Sequence, residues 1–291
     1  MYNPTVYALL TSWDWRPEVI FVLGAAAIFY LNGWLKLRRR GNARLASGWR
    51  LASYFAGLFV LAISLMSFVD ILGGLLFLMH MIQHLLVLSL APILLLLGEP
   101  FPMLTWGIPG GKRLAERLFA RRGVGRQLLQ KLPVGGVLLL SVGFLWGWHD
   151  PDAYNAALRI GWLHDLQHLT FFLPGMLFWW KVTGAAPRLH GRSPLFPRLA
   201  LLLLMAVANM IPAVGISLAS EPIYTYYLDM PRVAGIDVMT DQVIGGVIMW
   251  VPGTMMYMVA LLILIFRAFQ QNEKAKGGVD NRRYLVGAQA A

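Results

Sequence analysis

The sequence predicts an all-α integral membrane protein, a bundle of about seven transmembrane helices. Hydrophobic residues make up 58% of its 291 positions and charged residues only 13%, which is about half the charged share of a typical soluble domain. The apolar residues also come in long blocks rather than in the alternating or helical stripes of half-buried elements. Lipid is therefore the expected solvent for most of the chain.

Seven apolar blocks are long enough to cross the hydrocarbon core, which takes about 20 residues in a helix. Backbone groups in lipid must be hydrogen-bonded internally, and the blocks lack the alternation of barrel strands, so each block is predicted to be a helix. The predicted spans are 17–36, 49–69, 71–97, 133–149, 162–181, 197–218 and 241–267. Residues 1–16 then form an outer N-terminal segment, residues 17–267 the membrane domain and residues 268–291 a cytoplasmic tail.

The basic residues predict how the bundle is oriented. All but three of the 25 Lys and Arg residues fall in or beside the first, third and fifth loops or after the last span, and the exceptions are Arg16, Arg159 and Arg232. Because positively charged loops stay in the cytoplasm, the N-terminus is expected outside and the C-terminus inside. The same distribution indicates that the net charge of +11 serves membrane topology and not nucleic-acid binding.

The third predicted loop has the composition of a helix that lies on a membrane surface. Residues 111–131 place Leu114, Leu118 and Phe119 on one helical face, with arginines around them. This pattern favours an amphipathic helix on the anionic inner leaflet. The alternative is an ordinary basic loop that only sets the topology.

Two pairs of histidines, each spaced by four residues, are the most informative polar feature of the predicted spans. They share the pattern His-x-x-Gln-His and consist of His80, Gln83 and His84 in the third span and His164, Gln167 and His168 in the fifth. A spacing of four puts both imidazoles on one helix face, about 6 Å apart along the axis, where two nitrogens can reach one metal ion. Polar groups inside a span are costly and usually functional, so a metal or cofactor role is favoured over interhelical hydrogen bonding or a proton relay.

Further polar residues lie at the predicted outer ends of other spans. His149 closes the fourth span, where a water-exposed imidazole is an equal alternative to a ligand. Asp237 and Asp241, followed by Gln242, open the seventh span. Because spans three, five and seven run in the same direction, these groups converge with the histidine pairs if the helices are neighbours. His190, alone in a basic loop, is expected to be solvated.

Copper is the predicted ion, with zinc or haem as alternatives, because imidazole is a ligand of copper, of zinc and of haem iron. The chain has no cysteine, so thiolate ligands are excluded. Met79 and Met81 flank His80 and favour copper(I), although methionine is also a common filler of apolar helices. The depth of His80 and His84 stays open, because the block 71–97 is about 40 Å long as a helix against about 30 Å of hydrocarbon.

Several motifs occur in an order that fits one family and cover roughly residues 20–270. They are His80-Met81-Ile82-Gln83-His84-Leu85-Leu86, Ala91-Pro92, Leu97-Gly98-x-Pro100, Trp148-His149-x-Pro151-x-x-Tyr154, His164-x-x-x-His168, Phe178-Trp179-Trp180 and Asp241-Gln242-x-x-Gly245-Gly246-x-x-x-Trp250. This set resembles the CtaG family of cytochrome c oxidase assembly factors, the multi-span family associated with caa-type oxidases. The resemblance implies a multi-pass protein of the bacterial plasma membrane that helps to mature the oxidase at its copper centres. An oxidase subunit or a copper chaperone is then the expected partner.

An enzyme is not indicated by the sequence. It contains no phosphate-binding glycine loop, no serine nucleophile elbow and no His-Glu-x-x-His motif. One alternative function is haem-binding electron transfer, with His84 and His168 as axial ligands from two helices. A metal permease is the other alternative, but the inner halves of spans three, five and seven are nearly all Leu, Phe, Met and Trp, which disfavours a polar route through the membrane.

Overall fold

The described chain is built from helices. A computed structural model describes residues 11–188 and 194–288, with the side chains of residue 272 and residues 274–288 left out of that description, and within these ranges it has no strand. In chain order the helices are α1 (Pro17–Arg39), α2 (Gly48–Met66), α3 (Phe68–Gly73), α4 (Phe77–Leu97), α5 (Pro100–Gly107), α6 (Gly111–Phe119), α7 (Val124–Lys131), α8 (Val134–His149), α9 (Pro151–Arg159), α10 (Gly161–Thr183), α11 (Leu195–Ser217) and α12 (Val238–Ala288). A 3₁₀ turn, Thr225–Leu228, lies between α11 and α12.

The prediction of an all-helical chain with several membrane-spanning helices is confirmed for the described residues. Among the described residues, α1, α2, α4, α11 and the Val238–Gln271 part of α12 are long and apolar enough to cross a membrane. A sixth span results if α7 and α8, which are bent by 81°, are counted together. Helix α10 occupies the fifth predicted span and has 23 residues, enough for about 34 Å, but its histidine-rich first turns make it less apolar. The count of seven and the orientation of the termini stay predictions.

The third predicted span, 71–97, is corrected at its start. The chain leaves α2 at Ser67, whose hydroxyl accepts the Val69 N–H and caps the short helix α3. A new helix, α4, begins only at Phe77. Its cap comes from a side chain on α12, far away in sequence, so the local hydropathy pattern contains no signal for this break. His80 therefore lies in the first turn of its helix.

Helix α4 changes its hydrogen-bonding pattern directly after the histidine pair. Residues Leu86–Leu90 form a π-helical turn, and the Ala91 N–H donates to the Leu86 carbonyl five residues back. Single π-helical turns inside α-helices often occur at functional sites. Helix α10 packs closely here, because a Cβ built at Gly175 would lie 2.5 Å from the Leu88 carbonyl oxygen. The two helices that carry the histidine pairs are thus held in contact just below the histidines.

Helix α12 packs against α4 and α11 through adjacent glycines. A Cβ at Gly245 would lie 2.3 Å from the Phe77 ring, and a Cβ at Gly246 would lie 2.3 Å from the Ser217 hydroxyl oxygen. Small residues are the usual means of close helix contact in membranes. The Gly245-Gly246 pair therefore brings the start of α12 against the start of α4.

The opposite end of the bundle contains a short helix that the sequence pattern does not predict. Helix α5 packs against α1 at a crossing of two glycines, where a Cβ at Gly33 would lie 1.7 Å from the Met103 carbonyl oxygen and a Cβ at Gly107 1.7 Å from the Phe29 carbonyl oxygen. The Tyr30 hydroxyl donates to the Gly98 carbonyl oxygen at 2.7 Å, just before α5. This packing closes the end of the bundle away from the histidines.

The predicted helix over 111–131 is present as two helices, α6 and α7, joined by a short turn. Their apolar side chains are exposed to the surroundings, among them Leu114, Leu118, Val124 and Leu128. Apolar side chains that stay exposed beside arginines are typical of helices on a lipid surface. Their contact with lipid stays a prediction.

Candidate metal centre

Five histidines gather at one end of the bundle. This five-histidine cluster consists of His80 and His84 on α4, His149 at the end of α8, and His164 and His168 on α10. The ring centroids are 4.2 Å apart for His80–His84, 5.2 Å for His80–His164, 4.3 Å for His164–His168, 5.9 Å for His84–His168 and 6.0 Å for His84–His149. The two pairs and the single histidine therefore form one continuous group. The remaining histidine, His190, lies outside the described residues.

The helix termini explain why these side chains meet. Helices α4 and α10 both begin at this end, so the four-residue spacing places each pair on the first two turns of its helix. Helix α8 ends here with His149. Phe171, one turn further along α10, lies 4.6 Å from the His84 ring and 6.2 Å from the His149 ring. The cluster is thus closed by an apolar ring on the side of the bundle interior.

The tautomer of His149 is fixed by its own helix. Its Nδ1 lies 2.6 Å from the Leu145 carbonyl oxygen, which can only accept a hydrogen bond. Nδ1 must therefore carry the proton, and Nε2 presents a lone pair. That Nε2 atom is buried and has no hydrogen-bond partner among the described residues. A metal-ligating histidine usually has this arrangement, with one nitrogen donating to a carbonyl and the other left for the ion.

Two tyrosine hydroxyls contact one ring nitrogen of His80. Its Nδ1 lies 3.0 Å from the Tyr154 hydroxyl and 3.2 Å from the Tyr227 hydroxyl, and these hydroxyls are 3.0 Å apart. The Tyr227 hydroxyl donates to the Gly73 carbonyl oxygen at 3.0 Å, which uses its only proton. In the tautomer with a proton on Nδ1, Tyr154 donates to Tyr227 and Nδ1 donates to a tyrosine oxygen; in the other tautomer, Tyr154 donates to Nδ1. In the first tautomer the Nε2 lone pair of His80, buried and without a described partner, is available to an ion.

The cluster contains several more buried nitrogens with no described hydrogen-bond partner. They are both ring nitrogens of His84, both ring nitrogens of His168, and Nε2 of His164. A buried polar group left unpaired costs roughly 1–3 kcal/mol, and native proteins contain few of them. So many unpaired imidazoles in one place could serve as a group of ligands for an ion.

Three of the histidines form a compact set of donors, the inner group of His80, His84 and His168. One nitrogen from each lies within 4.8 Å of the others, and all three side chains are buried. Three imidazoles with an open fourth position suit copper, zinc or iron and not the hard ions calcium or magnesium. The donor set therefore fits the copper that the sequence predicts, and equally fits zinc.

A second set, the outer group, contains a carboxylate that the sequence pattern did not single out. Asp70 on α3 lies with His164 and His168, with one ligand atom of each within 4.8 Å of the others. Gln83 Nε2 donates to Asp70 Oδ1 at 2.6 Å and to the Ser64 carbonyl oxygen at 2.8 Å. Burial raises the pKa of Asp70 to about 6, although the Gln83 hydrogen bond acts in the opposite direction. Asp70 stands alone between two predicted spans, where no spacing or repeat marks it.

The two aspartates expected beside the histidines have other partners. Asp241 accepts the backbone N–H groups of Phe77 at 2.8 Å and Leu78 at 2.9 Å, one with each oxygen. Asp237 is exposed and accepts the backbone N–H groups of Met239 and Thr240, so it caps its own helix. The structure therefore does not place Asp237 beside the histidines, and it uses Asp241 to cap the start of α4. Hydrogen bonds within this local structure lower the pKa of Asp237, chiefly those to Thr240.

The remaining predicted residues support the surroundings of the cluster. Gln242 accepts the Ile223 N–H at 2.7 Å and so holds the segment that leads to the 3₁₀ turn. Both amide atoms of Gln167 are buried without a partner among the described residues. Met81 is 1% exposed and belongs to the apolar core, whereas Met79 is half-buried.

Three tyrosines that pattern analysis did not select cover the cluster. Besides Tyr154 and Tyr227, the Tyr224 hydroxyl donates to the His149 carbonyl oxygen at 3.0 Å, and the Tyr154 and Tyr224 rings are 4.1 Å apart. Tyr154 belongs to a motif quoted for the family, but tyrosines at membrane boundaries are common for a simpler reason, the aromatic belt. What distinguishes these three tyrosines from ordinary belt tyrosines is their hydrogen bonds to His80 and to the ends of helices.

An arginine held by two carboxylates lies beside the outer group. Arg16 Nη2 is 2.6 Å from Asp165 Oδ1, and Arg16 Nε is 2.9 Å from Glu18 Oε1. The positive charge of Arg16 lies close enough to interact electrostatically with Asp70, His164 and His168. The Arg16 side chain is 18% exposed and that of Asp165 49% exposed, so this ion pair lies where the cluster meets the surroundings.

Comparison with known proteins identifies one family. A family model described as cytochrome c oxidase caa3 assembly factor matches residues 28–271, so the resemblance found from the motifs is confirmed. Uncharacterized proteins are also similar: one of Mycobacterium leprae is 24% identical over 93% of this chain and 41% of its own length, and one of Mycobacterium bovis is 25% identical over 95% and 42%. The chain thus spans about two fifths of the length of these relatives. No solved structure matches it significantly.

Proposed function

Because the chain belongs to the cytochrome c oxidase caa3 assembly factor family, we propose that it binds copper in the five-histidine cluster and assists metallation of the oxidase. The single observation that carries the proposal is the inner group of His80, His84 and His168: one nitrogen of each converges with the others, and every ring nitrogen of the group except His80 Nδ1 is buried without a described partner. Copper is cargo in this proposal, bound and then passed on, and no catalytic role is assigned to the chain.

The residues around the inner group support binding by positioning the imidazoles. His80 is oriented by Tyr154 and Tyr227, and His149 by the Leu145 carbonyl. Such hydrogen bonds fix the tautomer and direction of a ligand, and losing one typically weakens metal affinity about 10–100-fold. Three imidazoles leave a fourth coordination position of an ion for another ligand, which suits a protein that must release its ion by ligand exchange.

The location and partner follow from charge and family. The basic loops favour placing the five-histidine cluster on the outer side of the bacterial plasma membrane. A copper chaperone or an oxidase subunit is the proposed partner there, and the lipid bilayer surrounds the bundle. The apolar helices α1, α2 and α11, which have many exposed Leu, Ile and Phe side chains, support the membrane setting.

Metal analysis of the purified protein tests the proposal. The full chain in lipid nanodiscs is incubated with copper or zinc, washed and measured by mass spectrometry, beside a variant that combines His84→Ala and His168→Ala. We expect the wild type to retain copper and the double variant to lose it. The matched control is His190→Ala, which changes the one histidine in a basic loop and should retain copper. A wild type without bound copper after loading would overturn the proposal.

The same samples separate copper from the two alternative functions. Incubation with haem, removal of unbound haem and an absorption spectrum test haem binding, since haem ligated by His84 and His168 leaves a Soret band in the washed wild type that is lost in the double variant. A metal permease is tested by copper flux into proteoliposomes. We expect no Soret band and no flux, because the proposed site binds an ion at one end of the bundle.

A further inference from the structure

The outer and inner groups of potential ligands meet at one residue. The inner group is His80, His84 and His168, and the outer group is Asp70, His164 and His168. Both contain His168, whose two ring nitrogens are buried without a described partner. All three members of the inner group are buried, whereas Asp70 and His164 are partly exposed. The two groups therefore lie in sequence from the surroundings into the bundle.

We propose that Asp70, His164 and His168 form a separate entry site, which takes up a divalent ion such as Cu(II) and passes it to the inner group. His168 is the ligand common to both positions, so the ion moves by exchanging Asp70 and His164 for His80 and His84. No electron or proton source is needed for this step, because only metal–ligand bonds form and break. The inference deepens the proposed function and rests on it.

The chemistry of the two groups gives the direction of transfer. A carboxylate with two imidazoles is a harder donor set than three imidazoles and suits a partly hydrated divalent ion arriving from water. The inner set, with its extra imidazole and no carboxylate, suits the same ion once it has lost water. An ion entering from the exposed side thus meets the carboxylate first and loses water as it moves inward.

The Asp70 carboxylate is oriented in advance by the helix that carries the inner group. Gln83 lies between His80 and His84, and its side-chain NH₂ donates to Asp70 Oδ1 and to the Ser64 carbonyl oxygen. The hydrogen bond from Gln83 to Asp70 engages Oδ1 of the carboxylate and not Oδ2. A ligand carboxylate that is itself hydrogen-bonded is the usual arrangement in metal sites, and here the same glutamine connects the two groups.

Arg16 lies beside this entry site together with two carboxylates. Its guanidinium is bound by Asp165 and Glu18, so two negative charges accompany its one positive charge where an ion would approach. Asp165 directly follows His164 on α10 and is about half exposed. Opposite charge at the mouth of a site raises the local concentration of a cation and its rate of association.

The rate of copper uptake tests the entry site. Cu(II), supplied as its glycine chelate, is mixed with the full chain in nanodiscs, and quenching of tryptophan fluorescence is followed by stopped flow. Asp70→Asn keeps an oxygen for the Gln83 hydrogen bond but removes the charge. We expect it to load about tenfold more slowly and to reach the same final copper content as the wild type. Asp152→Asn, which changes an exposed acid in the first turn of α9, is the control and should load at the wild-type rate.

Equilibrium binding provides a second, independent measurement. His84→Ala removes a ligand of the inner group only, so this variant should still retain one Cu(II), held at the entry site. Adding Asp70→Asn to His84→Ala should abolish binding, and the electron paramagnetic resonance spectrum of His84→Ala should differ from that of the wild type. Asp70→Glu, which restores the carboxylate, should recover most of the loading rate and exclude a folding defect as the cause.

Two results would overturn the entry site while leaving the proposed function intact. One is an Asp70→Asn protein that loads at the wild-type rate. The other is complete loss of copper from His84→Ala alone while the wild type binds it. A wild type that binds no copper is a different result, because it contradicts the proposed function itself.

Discussion

Asp241 on α12 accepts the backbone N–H of Phe77 at 2.8 Å, and so one helix caps the start of another. With its second oxygen it accepts the Leu78 N–H at 2.9 Å. The first N–H groups of a helix have no partner within it, and a carboxylate also interacts favourably with the positive end of the helix dipole. The contact therefore positions the helix that carries His80 and His84.

This cap predicts a stability effect with copper binding retained. Asp241→Asn keeps one acceptor and should lower the free energy of unfolding by about 1 kcal/mol, and Asp241→Ala by about 2 kcal/mol. Thermal unfolding of the chain in nanodiscs measures the order of the variants. Copper retention in Asp241→Asn follows if the carboxylate is a cap. Loss of copper at unchanged stability would instead identify Asp241 as a ligand.

Removing the Tyr227 hydroxyl is expected to weaken copper binding without removing a ligand. Tyr227→Phe deletes the group that donates to the Gly73 carbonyl and contacts His80 Nδ1. His80 then loses part of its orientation, and copper affinity should fall about 10–100-fold. Tyr226→Phe changes the neighbouring, partly exposed tyrosine and should leave affinity unchanged. Competition with a copper chelator measures both, and equal affinities in the two variants would contradict the role assigned to Tyr227.

Filling the contact at Gly245 is expected to separate α12 from α4. A Cβ there would lie 2.3 Å from the Phe77 ring, and Gly245→Ala should cost about 1–3 kcal/mol of unfolding free energy through overpacking. Gly24→Ala on α1 is the matched control, because nothing lies within 4 Å of the added Cβ; it should be neutral or slightly stabilising. Thermal unfolding compares the two. A Gly245→Ala protein as stable as Gly24→Ala would show that the helices adjust without cost.

Copper should stabilise the folded bundle only when its ligands are present. An ion that binds the folded protein alone stabilises it by about 4 kcal/mol at a thousand times its dissociation constant. The apparent midpoint of thermal unfolding of the wild type is therefore expected to rise with copper and to return on chelation. The His84→Ala, His168→Ala double variant should show no rise. An equal rise in both proteins would indicate binding elsewhere in the chain.

The family and the membrane setting followed from the sequence because both depend on local patterns. Hydropathy over about 20 residues is enough to detect a span, and the His-x-x-x-His spacing places two imidazoles on one face whatever the helix packs against. The motif order around His80, His149 and His164 identified the family that the comparison confirms.

Tertiary structure alone decided which polar groups meet. The sequence offered Asp237 and Asp241 as carboxylates beside the histidines, but the structure uses both to cap helices and places Asp70 beside His164 and His168 instead. Hydrogen bonds to caps and approach through glycines such as Gly245 join residues that are far apart in sequence, and no local pattern records them. The sequence by itself thus determined the class of membrane helices, the spacing of the histidine pairs and the family, while packing determined the break before α4, the tyrosines over His80 and the carboxylate beside the histidines.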